Sequence, residues 1–180
     1  TLTGMAWTDL AVADGAGGDL RIFKGTGDGT FDAATPLVIG AFSLYVRAAD
    51  LDGDNRPELL SLSNVDSVVE IWRNNGRGQF NTKERVSAPG GAVFFDVVDL
   101  NKDDRLDIAI GRGADQPQLI VRLNRGDGTF EGDPRLSAEG NITSVAALDL
   151  DDDGDLDLVA SEEGAARLLR WRRGVGQTFE

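Results

Sequence analysis

One nine-residue acidic loop occurs three times at a nearly fixed interval, and that recurrence restricts the chain to a repeat architecture. The copies read Asp50-Leu-Asp-Gly-Asp-Asn-Arg-Pro-Glu58, Asp99-Leu-Asn-Lys-Asp-Asp-Arg-Leu-Asp107 and Asp149-Leu-Asp-Asp-Asp-Gly-Asp-Leu-Asp157. The step is 49 residues from Asp50 to Asp99 and 50 from Asp99 to Asp149. A second marker keeps time with the first: Gly27-Asp-Gly-Thr-Phe31, Gly76-Arg-Gly-Gln-Phe80, Gly126-Asp-Gly-Thr-Phe130 and Gly174-Val-Gly-Gln-Thr-Phe179, the last with one inserted residue. Self-similarity near this length belongs to propellers and other arrays, in which each unit buries its apolar face against its neighbours.

Between the markers the chain reads as strands. A short apolar run follows each acidic loop, at 59–62, 108–110 and 158–160, with 10–13 in the first copy. Alternating apolar positions precede each Gly-x-Gly marker: Leu20 and Ile22, Val69 and Ile71, Leu119 and Val121, then Arg167 and Leu169. The glycine-rich marker is a hairpin turn. Small residues enrich the strand ahead of the loop, as in Arg47-Ala-Ala49 and Val145-Ala-Ala147. No stretch has a 3.6-residue period, so little helix is expected. Each unit therefore holds about four strands, the content of a propeller blade. We expect an all-β chain, one β-propeller region over 1–180 with four-stranded antiparallel blades. About four repeats are present, at roughly 1–40 (degenerate and incomplete), 41–89, 90–139 and 140–180 (incomplete).

The loop has the composition of a cage for a hard cation. Oxygen-bearing side chains stand at positions 1, 3 and 5: Asp50, Asp52 and Asp54; Asp99, Asn101 and Asp103; Asp149, Asp151 and Asp153. The carbonyls of Arg56, Arg105 and Asp155 fall at position 7, and Glu58, Asp107 and Asp157 close the loop as candidate bidentate ligands. Calcium accepts six to eight such oxygens in a flexible shell; magnesium demands a stricter octahedron. Zinc lacks its favoured ligands, because the chain has no His and no Cys. The spacing starts like an EF-hand but stops at position 9, with no flanking helix pattern. Asn55, Asp104 and Gly154 at position 6 are residue types that tolerate a left-handed turn. Three copies in register argue against plain acidic turns, since clustered like charges repel without a cation among them.

These loops and Gly-x-Gly-Thr/Gln-Phe turns resemble the FG-GAP/VCBS repeat family, the blade type of integrin-alpha-like propellers, over essentially the whole chain. The resemblance implies a β-propeller, usually seven-bladed, with calcium held between the first two strands of a blade. It also implies an extracellular, secreted or cell-surface setting and a part in adhesion, glycan binding or scaffolding. Two departures stand out. The first copy reads Thr1-Leu-Thr-Gly-Met-Ala-Trp-Thr-Asp9, where only Asp9 keeps a strong ligand type, so no tight calcium is expected there. Seven such units need roughly 340 residues, and this chain has 180. It is read as part of a longer protein, or as a chain that a second copy completes.

Net charge is −13, and three calcium ions would remove nearly half of it. That acidity disfavours nucleic acid, which selects basic surfaces, and no apolar stretch long enough to insert in a membrane is present. Calcium sites of modest affinity stay filled outside cells, which favours secretion. Catalysis finds little support: no His, no Cys nucleophile, no Gly-x-Ser-x-Gly elbow and no phosphate loop. A calcium-stabilised binding or adhesion module with a glycan or protein ligand is the expected function. A scaffold subunit, or an accessory domain of a larger secreted polysaccharide-active enzyme, is the alternative. Trp7, Trp72 and Trp171 are expected to fill space between blades rather than stack on sugars, with Trp72 and Trp171 one register apart. Phe31, Phe80, Phe130 and Phe179 are expected in the core. Arg167, Arg170, Arg172 and Arg173 read as a solvated strand edge, and Asn141-Ile-Thr143 fits a glycosylation sequon.

Overall fold

A computed structural model describes residues 2, 7–14, 19–38, 43–63, 65–80, 82–89, 91–113, 118–132, 135–138, 140–163 and 168–171. The chain forms two compact units, Thr1–Ser87 and Ala88–Glu180. All regular structure among the described residues is β. The first unit holds a three-stranded sheet, β1 (Leu10–Asp14), β2 (Asp19–Phe23) and β3 (Thr35–Val38). Its second sheet is four-stranded, β4 (Ser43–Ala49), β5 (Glu58–Ser63), β6 (Val68–Arg73) and β7 (Thr82–Ser87). In the second unit β8 (Ala92–Val98), β9 (Asp107–Arg112) and β10 (Gln118–Asn124) lie side by side. Two short strands, β11 (Phe130–Glu131) and β12 (Arg135–Ser137), share the far edge of β10. The last sheet is β13 (Ile142–Leu148), β14 (Asp157–Glu162) and β15 (Leu168–Trp171). Every pairing is antiparallel between chain neighbours, apart from the added β10–β12 contact, which is antiparallel too.

The repeat is visible in the register. Strands β4, β8 and β13 each carry an irregularity near their start, between Ser43 and Val46, Ala92 and Phe94, and Ile142 and Ser144. The strand after each acidic loop is the most buried. All six residues of β5 and of β9 are buried, the polar Glu58, Ser61, Ser63, Asp107 and Arg112 included, because both faces of these inner strands are covered. In the second unit Leu119 and Val121 of β10 pack with Val145, Leu158 and Ala160 of the next sheet. Gly111 lets the two sheets approach: a Cβ there would lie 2.7 Å from Ile142 Cγ2. In the first unit Leu20, Ile22, Leu59, Trp72 and Phe80 form the core.

Three expectations need correction. Trp72 and Trp171 occupy the same register: Trp72 pairs with Leu59, nine residues after Asp50, and Trp171 with Leu158, nine after Asp149. Counting back from the final glycine marker, with its inserted residue, shifts that strand by one. The counterparts of Val69 and Ile71 are accordingly Leu168 and Arg170, not Arg167 and Leu169. The phenylalanines are not uniformly core: Phe80 is 3% exposed, but Phe31 is 47% exposed and Phe130 half-buried. Trp72 fills the core as expected, whereas Trp7 is 51% exposed. Phe179, Arg167, Arg172, Arg173 and the last glycine marker lie outside the described residues.

Candidate metal centres

Each acidic loop joins the first strand of a sheet to the second: β4 to β5, β8 to β9 and β13 to β14. Two left-handed residues wind it. Position 6 is Asn55 (φ 62°), Asp104 (φ 63°) or Gly154 (φ 88°), as the residue types suggested. Position 4 is left-handed as well, at Gly53 (φ 77°), Lys102 (φ 59°) and Asp152 (φ 58°). A lysine carries no sequence signal for that conformation, and its backbone strain is tolerated only because the surrounding bonds fix it. Those bonds repeat. The position-1 carboxylate accepts the position-6 amide at 2.8 Å (Asn55 to Asp50), 2.9 Å (Asp104 to Asp99) and 2.8 Å (Gly154 to Asp149). The position-5 carboxylate accepts the position-7 amide at 2.8, 3.0 and 2.8 Å. The buried closing acid accepts the position-2 amide, Leu51 to Glu58 and Leu100 to Asp107, both at 2.9 Å.

This winding concentrates negative charge. Oxygens of Asp50, Asp52 and Glu58 converge within 4.8 Å of one another, and so do those of Asp149, Asp151 and Asp153. Like charges at that spacing repel by roughly 1 kcal/mol per pair at the dielectric of water, and by several at a protein surface. Asp149 Oδ1 is buried and accepts no hydrogen bond among the described residues. The donors are all oxygen, the set a hard cation such as calcium takes. Asp54 is turned toward Arg56, whose Nε donates to Oδ2 at 2.7 Å, and the Arg56 hydrogen bond holds its carboxyl below the usual range. Arg105 pairs with Asp103 in the same way. The third loop has Asp155 at that place, and Lys102 of the second loop reaches it at 2.7 Å. Asn101 donates to Asp103 at 2.8 Å. Burial pushes the Glu58 and Asp107 carboxyls up, opposed by the backbone amides they accept. Both Asp107 oxygens are engaged, Oδ2 by Leu100 and Oδ1 by the Asn124 amide at 2.8 Å. Asp157 is buried in the corresponding place.

The first two acidic loops are bolted to the glycine marker of their own sheet, through residues that sequence reading overlooked. Asn74 Oδ1 accepts the Gly76 amide at 2.9 Å, while its Nδ2 donates to the Pro57 carbonyl at 3.0 Å. Asn124 repeats both bonds, with Gly126 at 2.9 Å and the Leu106 carbonyl at 3.1 Å. The available signal was an asparagine two residues ahead of Gly76 and of Gly126. Above this bond the position-7 side chain lies across the first glycine. A Cβ on Gly76 would meet Arg56 Cδ at 2.7 Å, and one on Gly126 would meet Arg105 Cδ at 2.8 Å. In the degenerate first copy Trp7 takes the same place, with its ring 2.5 Å from a Cβ on Gly27. Asp9 there accepts the Gly25 amide at 3.2 Å, as Asp107 accepts that of Asn124. Thr1 and Thr3 lie outside the described residues.

The model for the FG-GAP-like repeat matches residues 3–61, 50–110 and 111–160. No curated protein sequence matches the chain. Solved structures do. An Agrocybe aegerita lectin that recognises non-reducing terminal N-acetylglucosamine is 23% identical, with a TM-score of 0.68 over 99% of this chain and 48% of that one. BBS1N, solved in complex with ARL6DN, is 16% identical with a TM-score of 0.61 over 96% and 47%. The Photorhabdus luminescens Tc holotoxin pore is 20% identical with a TM-score of 0.54 over 94% and 8%. At these identities the likeness concerns the fold, an all-β, β-propeller-like arrangement of antiparallel sheets. The chain spans about half the length of the first two.

Proposed function

The chain belongs to the FG-GAP-like repeat family, and from that premise we propose that it is a calcium-stabilised binding module, extracellular in setting and without catalysis of its own. The observation that carries the reading is the threefold loop with one hydrogen-bond plan, with carboxylates that converge in the first and third copies and the partnerless Asp149 Oδ1. Asp50, Asp52, Asp54 and Glu58, Asp99, Asn101, Asp103 and Asp107, and Asp149, Asp151, Asp153 and Asp157 would hold three ions, joined by the carbonyls of Arg56, Arg105 and Asp155. Calcium would neutralise the clustered acids and pin each first-to-second strand turn, adding stability by mass action. The ligand is a glycan or a protein. A cleft of about 300 Å³ between β1 and β4 of the first unit, lined by Leu10, Val46, Arg47 and Pro57, is one place for it. The solved lectin neighbour makes terminal N-acetylglucosamine the first probe.

The test is a thermal melt in excess calcium, excess magnesium and excess chelator, followed by titration with N-acetylglucosamine-terminated oligosaccharides. A calcium-specific rise in Tm is expected. Identical melts in calcium and chelator would sink the metal reading, and a flat titration would remove this sugar while leaving a protein ligand.

A further inference from the structure

The first cage already contains a cationic group. Arg73, the last residue of β6, points its Nη1 at the acidic loop, 3.6 Å from Asp52 Oδ2 and 3.8 Å from Glu58 Oε2. The other side of the guanidinium is clamped by Glu84 on β7, Nε to Oε1 at 3.0 Å and Nη2 to Oε2 at 3.1 Å. A bidentate fork of this kind fixes the plane of the guanidinium. Its side chain is only 18% exposed, so the contact is shielded from water and salt more than a surface pair is.

The second cage lacks this arrangement in both members. Register places Leu123 where Arg73 stands, because Trp72 pairs with Leu59 and Arg122 with Ile108. Position 3 of that loop is Asn101 in place of Asp52. Leu123 packs on the apolar cluster instead. The extra carboxylate and the extra arginine thus come together in the first sheet and are absent together from the second. In the third copy Asp151 returns at position 3, and Arg172, which lies outside the described residues, returns one place after Trp171.

We propose that Arg73 is a tethered counterion of the first cage, and that it competes there with a divalent ion. The proposal rests on the calcium reading above and goes beyond it, by making that cage less dependent on the metal and weaker toward it than its four acids imply. Glu84 is the positioning residue, since it holds the fork toward the loop.

The test isolates the first cage in the full chain by Asp99→Asn with Asp149→Asn, then compares that background with and without Arg73→Leu, the residue of the second sheet. Calcium is titrated calorimetrically, and melts are run in chelator and in calcium. Arg73→Leu is expected to tighten calcium at the first cage about tenfold or more, as loss of a like charge beside a divalent ion requires. It is also expected to lower Tm in chelator and to enlarge the calcium-induced rise. Arg73→Gln, which keeps most of the stem, carries the same comparison if the leucine variant folds poorly without metal. Calcium affinity unchanged within twofold would overturn the proposal, and so would a first cage that stays silent in both variants while the unmodified chain binds calcium. A chain that binds no calcium at any cage overturns the calcium reading, and this proposal with it.

Discussion

Replacing Asp149 by Asn has opposite effects on stability with and without calcium if the loops are cages. Asp149 faces Asp151 and Asp153 within 4.8 Å. In chelator the substitution removes two like-charge pairs, each worth about 1 kcal/mol at the dielectric of water. Asn retains an oxygen for the Gly154 amide, which donates at 2.8 Å to Oδ2 in the parent. The variant should therefore gain about 1–2 kcal/mol, a Tm rise of a few degrees at roughly 2–4 °C per kcal/mol for this chain length. With calcium at a hundredfold its Kd, an occupied cage adds about 2.7 kcal/mol to the parent. A variant that cannot hold the ion forgoes this, and ends about 1 kcal/mol less stable than the parent. The assay is a pair of calorimetric melts for each protein, in chelator and in calcium, in which the two untouched cages cancel to the extent that distant sites add. A variant destabilised equally in both buffers would refute the reasoning: Asp149 would then serve only as the acceptor of a backbone amide.

Gly76→Ala and Gly126→Ala should each cost about 1–3 kcal/mol in chemical denaturation, because a left-handed φ is combined with contact against Arg56 or Arg105; Gly29→Ala, left-handed but with nothing within 4 Å of the new Cβ, should cost less. The Asp28 carboxyl is held down at about 2, chiefly by the Thr26 hydroxyl and then by the Thr30 hydroxyl and amide. A depressed acid contributes stability that is complete above its unfolded pKa and is lost as pH falls toward 2. Joint Thr26→Val and Thr30→Val should therefore raise the Asp28 pKa in an NMR titration and flatten this acid limb.

The repeat, the strand content and the loop-to-strand order were legible because each rests on a local rule: turn glycines, apolar runs and oxygen spacing. What failed did so where one residue more or less decides the outcome. The inserted residue of the last glycine marker moved Trp171 by one place on paper, and in a strand one place is the opposite face. Phe31 and Phe80 share a motif, yet only Phe80 has a core above it. Within the acidic loops, sequence identified which residues carry oxygen but not which oxygens were already engaged. Asp54 turns to Arg56, Asp107 spends both oxygens on backbone amides, and the Arg73 beside Asp52 comes from the third strand of the sheet, more than twenty residues on.

The first copy separates two roles that the other copies combine. Its loop has lost the acids of positions 1, 3 and 5, yet Asp9 still accepts the Gly25 amide and Trp7 still lies across Gly27. The closing acid and the glycine contact therefore persist without a cage, so they serve the joint between the loop and the hairpin of one sheet. On the calcium reading proposed above, metal binding would be an addition to that joint, supplied by positions 1, 3 and 5 with the closing acid shared between the two roles. It follows that removing a closing acid and removing a position-1 acid are different experiments. Asp107→Asn would keep one acceptor oxygen but turn an NH2 toward the second backbone amide, leaving that buried N–H of Leu100 or Asn124 without its acceptor, and would loosen the sheet in any buffer by about 1–3 kcal/mol. Only the position-1 change should depend on calcium for its sign.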